Sequence, residues 1–263
     1  MSKISVLMSV YNCENTVKRS IDSIINQTFN DWEFIICDDG SKDNTYKIIQ
    51  DIAQKEKRII LIKNDINRGL SYSLNRCLEF AKGEYCARMD GDDLCDPHRF
   101  EKQVEFLDNN REYGFVSTRM ARFDELGIYE IPACIESYSP TKEDFIKGSP
   151  FCHAPVIVRR SVYDAVNGYR DIPQTIGVED YDLWFRIYYE GYKGYVMHEP
   201  LYYMFDGRDA AKRRTFKRRL NEAWVRKNGY RMLRIPIIFR IYVLKPILIG
   251  MIPQCVYKKF LRR

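Results

Sequence analysis

Several signatures that would assign this chain at once are missing from it. No G-x-G-x-x-G follows the first apolar run and no Walker A loop occurs, so neither a dinucleotide dehydrogenase nor a P-loop ATPase is favoured. The eight cysteines form no C-x-x-C, and Cys13, Cys37, Cys86 and Cys152 lie in or beside apolar runs. Buried free thiols in a reducing compartment explain that pattern better than disulfides or zinc. There is no secretory signal: Met1 to Lys3 leads straight into ISVLMSV, which has neither the length nor the cleavage site of an export peptide. Long hydrophobic runs are absent from the C-terminal region, where the longest uncharged stretch, Pro246 to Tyr257, has 12 residues. A helix needs about 20 to span a bilayer.

What is present describes a soluble α/β chain. With 263 residues, 45% apolar and 30% charged, it can bury a large core as one big domain or one domain with an appendage. The net charge of +6 hides an asymmetry. Residues 207–263 carry 17 Lys/Arg against 2 Asp/Glu, and residues 1–206 carry 25 against 34.

Apolar runs of strand length begin at Ile4, Trp32, Ile59 and Tyr85, and segments of helical spacing separate them (Val17 to Ile25, Tyr46 to Ala53, Leu70 to Ala81). Continuous apolar strands are the mark of a sheet covered on both faces, and strand–helix alternation predicts a mostly parallel sheet with right-handed crossovers. In such sheets ligands bind outside the carboxyl ends of the strands. The four exits are Tyr11-Asn12, Asp38-Asp39, Asn67-Arg68-Gly69 and Asp90-Gly91-Asp92-Asp93. An aromatic can stack on a base, a carboxylate can accept from a base N–H and an arginine can pair with phosphate. Together they describe a site for a nucleoside diphosphate.

The fourth exit organises the rest. In ARMDGDD, residues 87–93, a short apolar strand ends in three carboxylates within four residues, which repel one another unless something positive sits among them. A hard divalent cation, Mn²⁺ or Mg²⁺, takes oxygen ligands and shares its shell with substrate phosphates. A calcium loop is the rival, because Glu101 stands at position 12 counted from Asp90. It is set aside, since positions 5 and 6 are Leu94 and Cys95, where that loop wants an acid or amide and a glycine.

The ordered series SVYN (9–12), CDDGS (37–41), NRGL (67–70), ARMDGDD (87–93) and GVEDYDLWFRI (177–187) resembles family 2 glycosyltransferases of the GT-A fold, over residues 4 to about 205. The resemblance implies a mostly parallel sheet flanked by helices, with a Rossmann-like nucleotide-binding half at 1–110, an acceptor half at 111–205 and a basic helical segment at 206–263. It implies a nucleotide-sugar donor, most often a UDP-sugar. Tyr11 and Asn12 would lie against the base, Asp39 would hydrogen-bond it with Asp38 alongside, and Arg68 would approach the diphosphate. Asp90 and Gly91 would border the ribose or metal, and Asp92 would ligate the metal. The acid pair Glu179-Asp180 would supply the general base, Asp180 first and Glu179 second, for a single inverting displacement on a glycan or lipid-linked acceptor. His153 and Trp184 would border the sugar or acceptor pocket. Processive relatives carry Q-x-x-R-W after that helix. None occurs here, so addition of one sugar per encounter is expected.

Asp96 as N-cap and Pro97 as first helical residue predict a helix from 97 onward, Phe115 to Thr118 a strand, Gly127 to Pro132 a returning edge strand, and Thr141 with Asp144 a short-helix cap. In the C-terminal segment 231–263, apolar runs alternate with Arg234, Arg240, Lys245, Lys258 and Lys259, broken by Pro236, Pro246 and Pro253. This reads as a basic amphipathic segment lying in a membrane interface, which makes the expected location cytoplasmic and peripheral at the inner face of the membrane. Packing back on the domain or a dimer contact is the alternative, and a nucleic-acid arm is disfavoured because the cations are interleaved with long aliphatics. Two other functions compete: a sugar-phosphate nucleotidyltransferase, which would have little use for Glu179-Asp180, and a catalytically silent membrane-associated binding protein.

Overall fold

The structure, a computed structural model, describes residues 2–131, 136–206 and 215–251. Its first half alternates β1 (Ile4–Val10), α1 (Val17–Ile25), β2 (Trp32–Asp38), α2 (Thr45–Ala53), β3 (Ile59–Lys63), α3 (Leu70–Phe80) and β4 (Tyr85–Asp90). β1 lies between β2 and β4, with β3 outside β2, all parallel. The pleat explains why these runs are apolar throughout. Leu7, Ile35, Cys37 and Cys86 face one helical layer with Leu74 and Leu78 of α3. Val6, Met8, Ile36 and Ala87 face the other with Ile21 and Ile24 of α1. Each large aliphatic side chain so buried contributes about 1.5–3 kcal/mol, and neither face has water to retain a polar alternation.

The second half adds β5 (Leu94–Cys95), α4 (Arg99–Asn109), β6 (Tyr113–Asp124), β7 (Gly127–Glu130), β8 (Ile157–Arg159), α5 (Arg160–Ala165), α6 (Glu179–Tyr189) and β9 (Lys193–Phe205). The strand order is β3-β2-β1-β4-β8-β6-β9-β5, with β7 on β6. β8 is antiparallel to both β4 and β6, so the two halves share one sheet. β6 and β9 run parallel. The edge strand expected near 127 pairs antiparallel with β6, and its last residue, Pro132, lies outside the described residues. The Thr141–Asp144 cap forms, with Asp144 Oδ2 accepting from the Thr141 backbone N–H at 2.8 Å.

One helix start differs from expectation. α4 begins at Arg99, two residues after Pro97. The Asp96 carboxylate accepts the His98 N–H at 2.9 Å, and the Asp96 carbonyl accepts from Arg99 N at 3.1 Å. The aspartate thus closes a turn across the proline instead of capping a helix that starts there.

The C-terminal segment divides in two. α7 (Phe216–Met232) packs on α6, and Val225, Tyr230, Leu233 and Ile235 join the same core as Trp184. The approach is close enough to require a glycine: a Cβ on Gly229 would lie 2.3 Å from the Phe185 ring. Buried Arg226 pairs with Glu222 at 3.0 Å and donates to the Ile146 carbonyl at 3.1 Å. The alternative of packing back on the domain therefore holds as far as Ile235. A 3-10 segment (Ile237–Leu244) and α8 (Lys245–Met251) follow, and of their residues only Pro246 is buried. Among the described residues no helix is long and apolar enough to cross a membrane.

Candidate active site

The strand exits converge, and much of their polarity holds the loops to one another. Asn12, in the left-handed region at φ 52, donates its N–H to Ser41 Oγ at 3.0 Å and accepts from Lys42 N at 2.8 Å, so it ties the β1 exit to the β2 exit. Asp38 is buried, with Oδ1 accepting from Ser41 N at 2.9 Å. Asp39 is 2% exposed. Its carboxylate accepts from the backbone N–H of Arg68 and of Gly69, each at 2.8 Å, and from Asn64 Nδ2 at 2.7 Å. Expected as a base-binding acid, Asp39 here clamps the 67–69 loop. With about four acceptor sites on a carboxylate, one remains. Tyr11 is 43% exposed, and the Arg68 guanidinium, on an exposed residue, lies over the Tyr72 ring at 4.7 Å. These two groups remain open to a ligand.

At the β4 exit the three carboxylates take different places. Gly91 is required, because a Cβ there would lie 2.7 Å from Val10 Cγ1, and its carbonyl accepts from Thr16 Oγ1 at 2.8 Å. Asp93 turns inward, 3% exposed, and accepts from Phe205 N at 2.7 Å. Burial first, then the charges of Asp90 and Asp92, push its carboxyl well above the usual range. Asp90 and Asp92 stay partly open. Asp90 Oδ1 accepts from Arg88 at 2.5 Å, and its N–H donates to the Tyr202 hydroxyl at 3.1 Å. Among the described residues no three His, Cys, Asp or Glu side chains form a ready-made metal cage. Two partly exposed carboxylates at one strand exit are nonetheless the donor set that Mg²⁺ or Mn²⁺ uses when phosphate oxygens complete its shell, so the residues fit the expected ion.

The second centre is the start of α6. Gly177 has φ 79 and sits against Arg218 of α7, whose Cγ and Cδ a Cβ would meet at 3.3 Å. Glu179 and Asp180 form the first turn, where the helix dipole favours negative charge. They are surrounded by protein yet touched by solvent. Burial, then the charge of Asp180, pushes the Glu179 carboxyl up to about 7, with backbone N–H bonds and Arg218 pulling the other way. Asp180 is raised by burial and opposed by the Tyr181 N–H and Arg218. The third acid of that turn, Asp182, is consumed by Arg186 at 2.7 Å and Arg170 at 3.0 Å.

Buried groups connect the centres. His153 Nε2 and the Tyr169 hydroxyl are 2.8 Å apart, and Tyr169 meets the Tyr163 hydroxyl at 2.9 Å. Burial and the nearby Arg88 cation hold His153 well below its ordinary range, hence neutral. The Tyr169 phenol is raised mainly by burial, with Arg88 opposing and Glu179 and Asp180 adding to it. Arg88, which bonds Asp90, is therefore also within electrostatic reach of Tyr169. Trp184 lies in the core, fully buried and stacked on Phe115 at 4.8 Å. Sequence reasoning did not single out Arg88, Tyr169 or Tyr202. Arg88 did leave a signal, a cation in the middle of an otherwise apolar strand. A cleft of about 780 Å³ lies elsewhere, at the start of β6 and β9, lined by Tyr113, Tyr188, Tyr192 and Leu233.

An α/β sheet with a carboxylate pair at a strand exit and an acid pair in the first turn of a later helix matches a GT-A glycosyltransferase fold. Solved structures agree. S. aureus TarS 1-349 in complex with UDP-GlcNAc superposes with a TM-score of 0.71 at 15% identity, covering 95% of this chain and 71% of that one. The mannosyltransferase PcManGT from Pyrobaculum calidifontis, in complex with GDP-Man and Mn²⁺, gives 0.66 at 18%, covering 95% and 68%. The chain belongs to glycosyl transferase family 2, whose model matches residues 5–166. It is 42% identical to the putative glycosyltransferase EpsE of Bacillus subtilis (strain 168), over 98% of this chain and 92% of that protein. It is 31% identical to the UDP-Glc:alpha-D-GlcNAc-diphosphoundecaprenol beta-1,3-glucosyltransferase WfaP of Escherichia coli, over 73% of each.

Proposed function

We propose that the protein transfers one sugar from a UDP-sugar to a hydroxyl of a glycan or lipid-linked acceptor, with inversion at the anomeric carbon, as in cell-surface polysaccharide synthesis. One observation carries this reading: Arg88, which bonds Asp90, and the Glu179/Asp180 pair both act on the Tyr169 hydroxyl, which meets His153 at 2.8 Å. Tyr11 would stack on the base, Asp38 and Asp39 would border its edge, and Arg68 would meet the diphosphate. Asp90 and Asp92 would hold Mn²⁺ or Mg²⁺, which when bound supplies positive charge against the departing diphosphate. Asp180 takes the acceptor proton as the hydroxyl attacks, while Glu179 keeps the local field negative and Arg218 offsets it. His153, neutral, can exchange hydrogen bonds with sugar hydroxyls without adding charge. One carboxylate base and no second nucleophile correspond to a single displacement.

The uridine preference draws support from the printed donors of WfaP and TarS, and the GDP-Man complex of PcManGT marks the rival. Residues 231–263 would keep the protein at the cytoplasmic face of a membrane; 252–263 lie outside the described residues. Thermal shift against UDP-, dTDP- and GDP-sugars, with and without Mn²⁺, tests the donor site. Stabilisation by a UDP-sugar that needs the metal, and that Asp92→Ala abolishes, is expected. A panel with no donor-dependent shift would overturn the reading and favour a silent binding protein.

A further inference from the structure

Beyond Ile235 the chain turns its apolar side outward. Ile237, Ile238 and Ile241 are 78%, 74% and 69% exposed, and Leu248 and Met251 on α8 are 62% and 69% exposed. A contiguous apolar face of this kind marks an interaction surface. Its charge says with what. Between residues 227 and 251 stand Lys227, Arg231, Arg234, Arg240 and Lys245 and not one acid, all five exposed. The acid of α7, Glu222, is taken by Arg219 and Arg226. Three of the cations frame a cleft of about 480 Å³: Lys227 and Arg231 from α7 and Arg240 from the 3-10 segment, with Ile241, Val243 and Leu244 as its apolar walls.

We infer that this face docks on an anionic bilayer, with a lipid phosphate seated between Lys227, Arg231 and Arg240, and Ile237, Ile238, Ile241 and Leu248 in the acyl boundary. A cationic rim over an aliphatic wall matches an anionic amphiphile. A second copy would instead set these five cations against another five, and a nucleic acid would leave the isoleucines in water.

The face continues toward the acid pair. A Cβ on Gly250 would meet Phe216 and Arg219 at 3.0 Å, so α8 lies along the N-terminal half of α7. There Asn221 donates to the carbonyls of Pro173 and Ile176 at 3.1 and 2.9 Å, and Arg218 abuts Gly177. Ile176, Phe216 and Leu220 are 59%, 49% and 46% exposed, extending the apolar surface to the loop that presents Glu179 and Asp180. A lipid-borne acceptor would reach those acids from the bilayer side. That orientation, unlike the docking itself, rests on the proposed transferase reading.

Flotation of the full chain with phosphatidylcholine vesicles, with and without phosphatidylglycerol, tests the docking without any sugar transfer, so its failure reads separately from failure of the enzyme assignment. Binding to the anionic vesicles alone, weakening with salt, is expected. K227Q/R231Q/R240Q should lower the partition about fivefold per cation, roughly a hundredfold together. I237S/I238S/I241S should abolish it and leave the thermal midpoint unchanged, because these side chains are already in water. Leu220→Glu, nearer the acid pair, should weaken it too. Equal binding to neutral vesicles, or undiminished binding by both triple variants, would overturn the inference. So would a dimer in sedimentation that the isoleucine variant breaks while vesicles bind nothing.

Discussion

At pH 8 the Glu179 carboxylate is ionised in surroundings that disfavour charge. Its proton affinity is raised from the ordinary 4.5 to about 7, so the folded state binds that proton more tightly than the unfolded chain does. The stability it contributes is therefore complete below pH 4.5 and is lost as pH rises through 7. A shift of that size corresponds to about 3 kcal/mol, which partial contact with solvent reduces to ~2 kcal/mol. Glu179→Gln should raise stability by that order at pH 8 and leave it unchanged at pH 4, a comparison that denaturant titration at the two pH values makes directly. Catalysis should answer differently. Asp180→Asn removes the proposed base and should lower kcat by about 10²–10⁴-fold. Glu179→Gln leaves that base in place, so much of the activity should remain. Loss of activity in Glu179→Gln beside an active Asp180→Asn would reassign the base.

The helices and strands around the site were largely legible in advance, and the reason is the sheet. β1, β2 and β4 are buried on both faces, so their apolar runs stand out from the charged helices between them, and the exits follow once the order is known. Less legible was what each polar exit residue holds. Asp39 reads as a ligand for a base, yet it accepts from the amides of Arg68 and Gly69, a contact between loops 29 residues apart that no local pattern encodes. Tyr202 was missed for the same cause, since its partner comes from another strand. The α6–α7 crossing is a further case, because nothing in the sequence near Gly229 says that it meets Phe185. Replacing Gly229 by Ala brings two opposed effects. Helix propensity favours alanine by about 1 kcal/mol, while a Cβ 2.3 Å from a buried ring costs about 1–3 kcal/mol in overpacking. The ring is pinned among Phe145, Tyr181 and Tyr230 and has little room to yield, so the second effect wins. The expected outcome is a net loss of about 1–2 kcal/mol, read as a lower chemical midpoint. A gain in stability would mean that α7 packs more loosely than its burial indicates.

Charge divides the chain near residue 206, and packing divides it thirty residues later. The composition jump from net acidic to strongly basic invites a boundary at 205, but most cations of α7 lie on its outer side. Val225, Tyr230 and Ile235 are each 1% exposed or less, and Arg226 is held inside by Glu222 and the Ile146 carbonyl. Solvated cations raise the net charge of a helix without loosening its inner face, which is why the jump in composition and the limit of packing fall at different residues. Two truncations separate the alternatives. Removing residues 237–263 takes away, among the described residues, only one buried side chain, Pro246, so the thermal midpoint and UDP-sugar binding should stay close to those of the full chain while vesicle binding disappears. Removing residues 216–263 exposes the α6 face that carries Tyr181 and Phe185 and deletes Val225, Tyr230, Leu233 and Ile235 from the core. At about 1.5–3 kcal/mol for each buried side chain, that loss is comparable to the roughly 5–15 kcal/mol by which a whole domain is stable. The shorter chain should therefore lack a cooperative melting transition and bind no donor. Were it to melt and bind like the longer one, α7 would be an appendage after all, and Arg218 could not be part of the acid pair's surroundings.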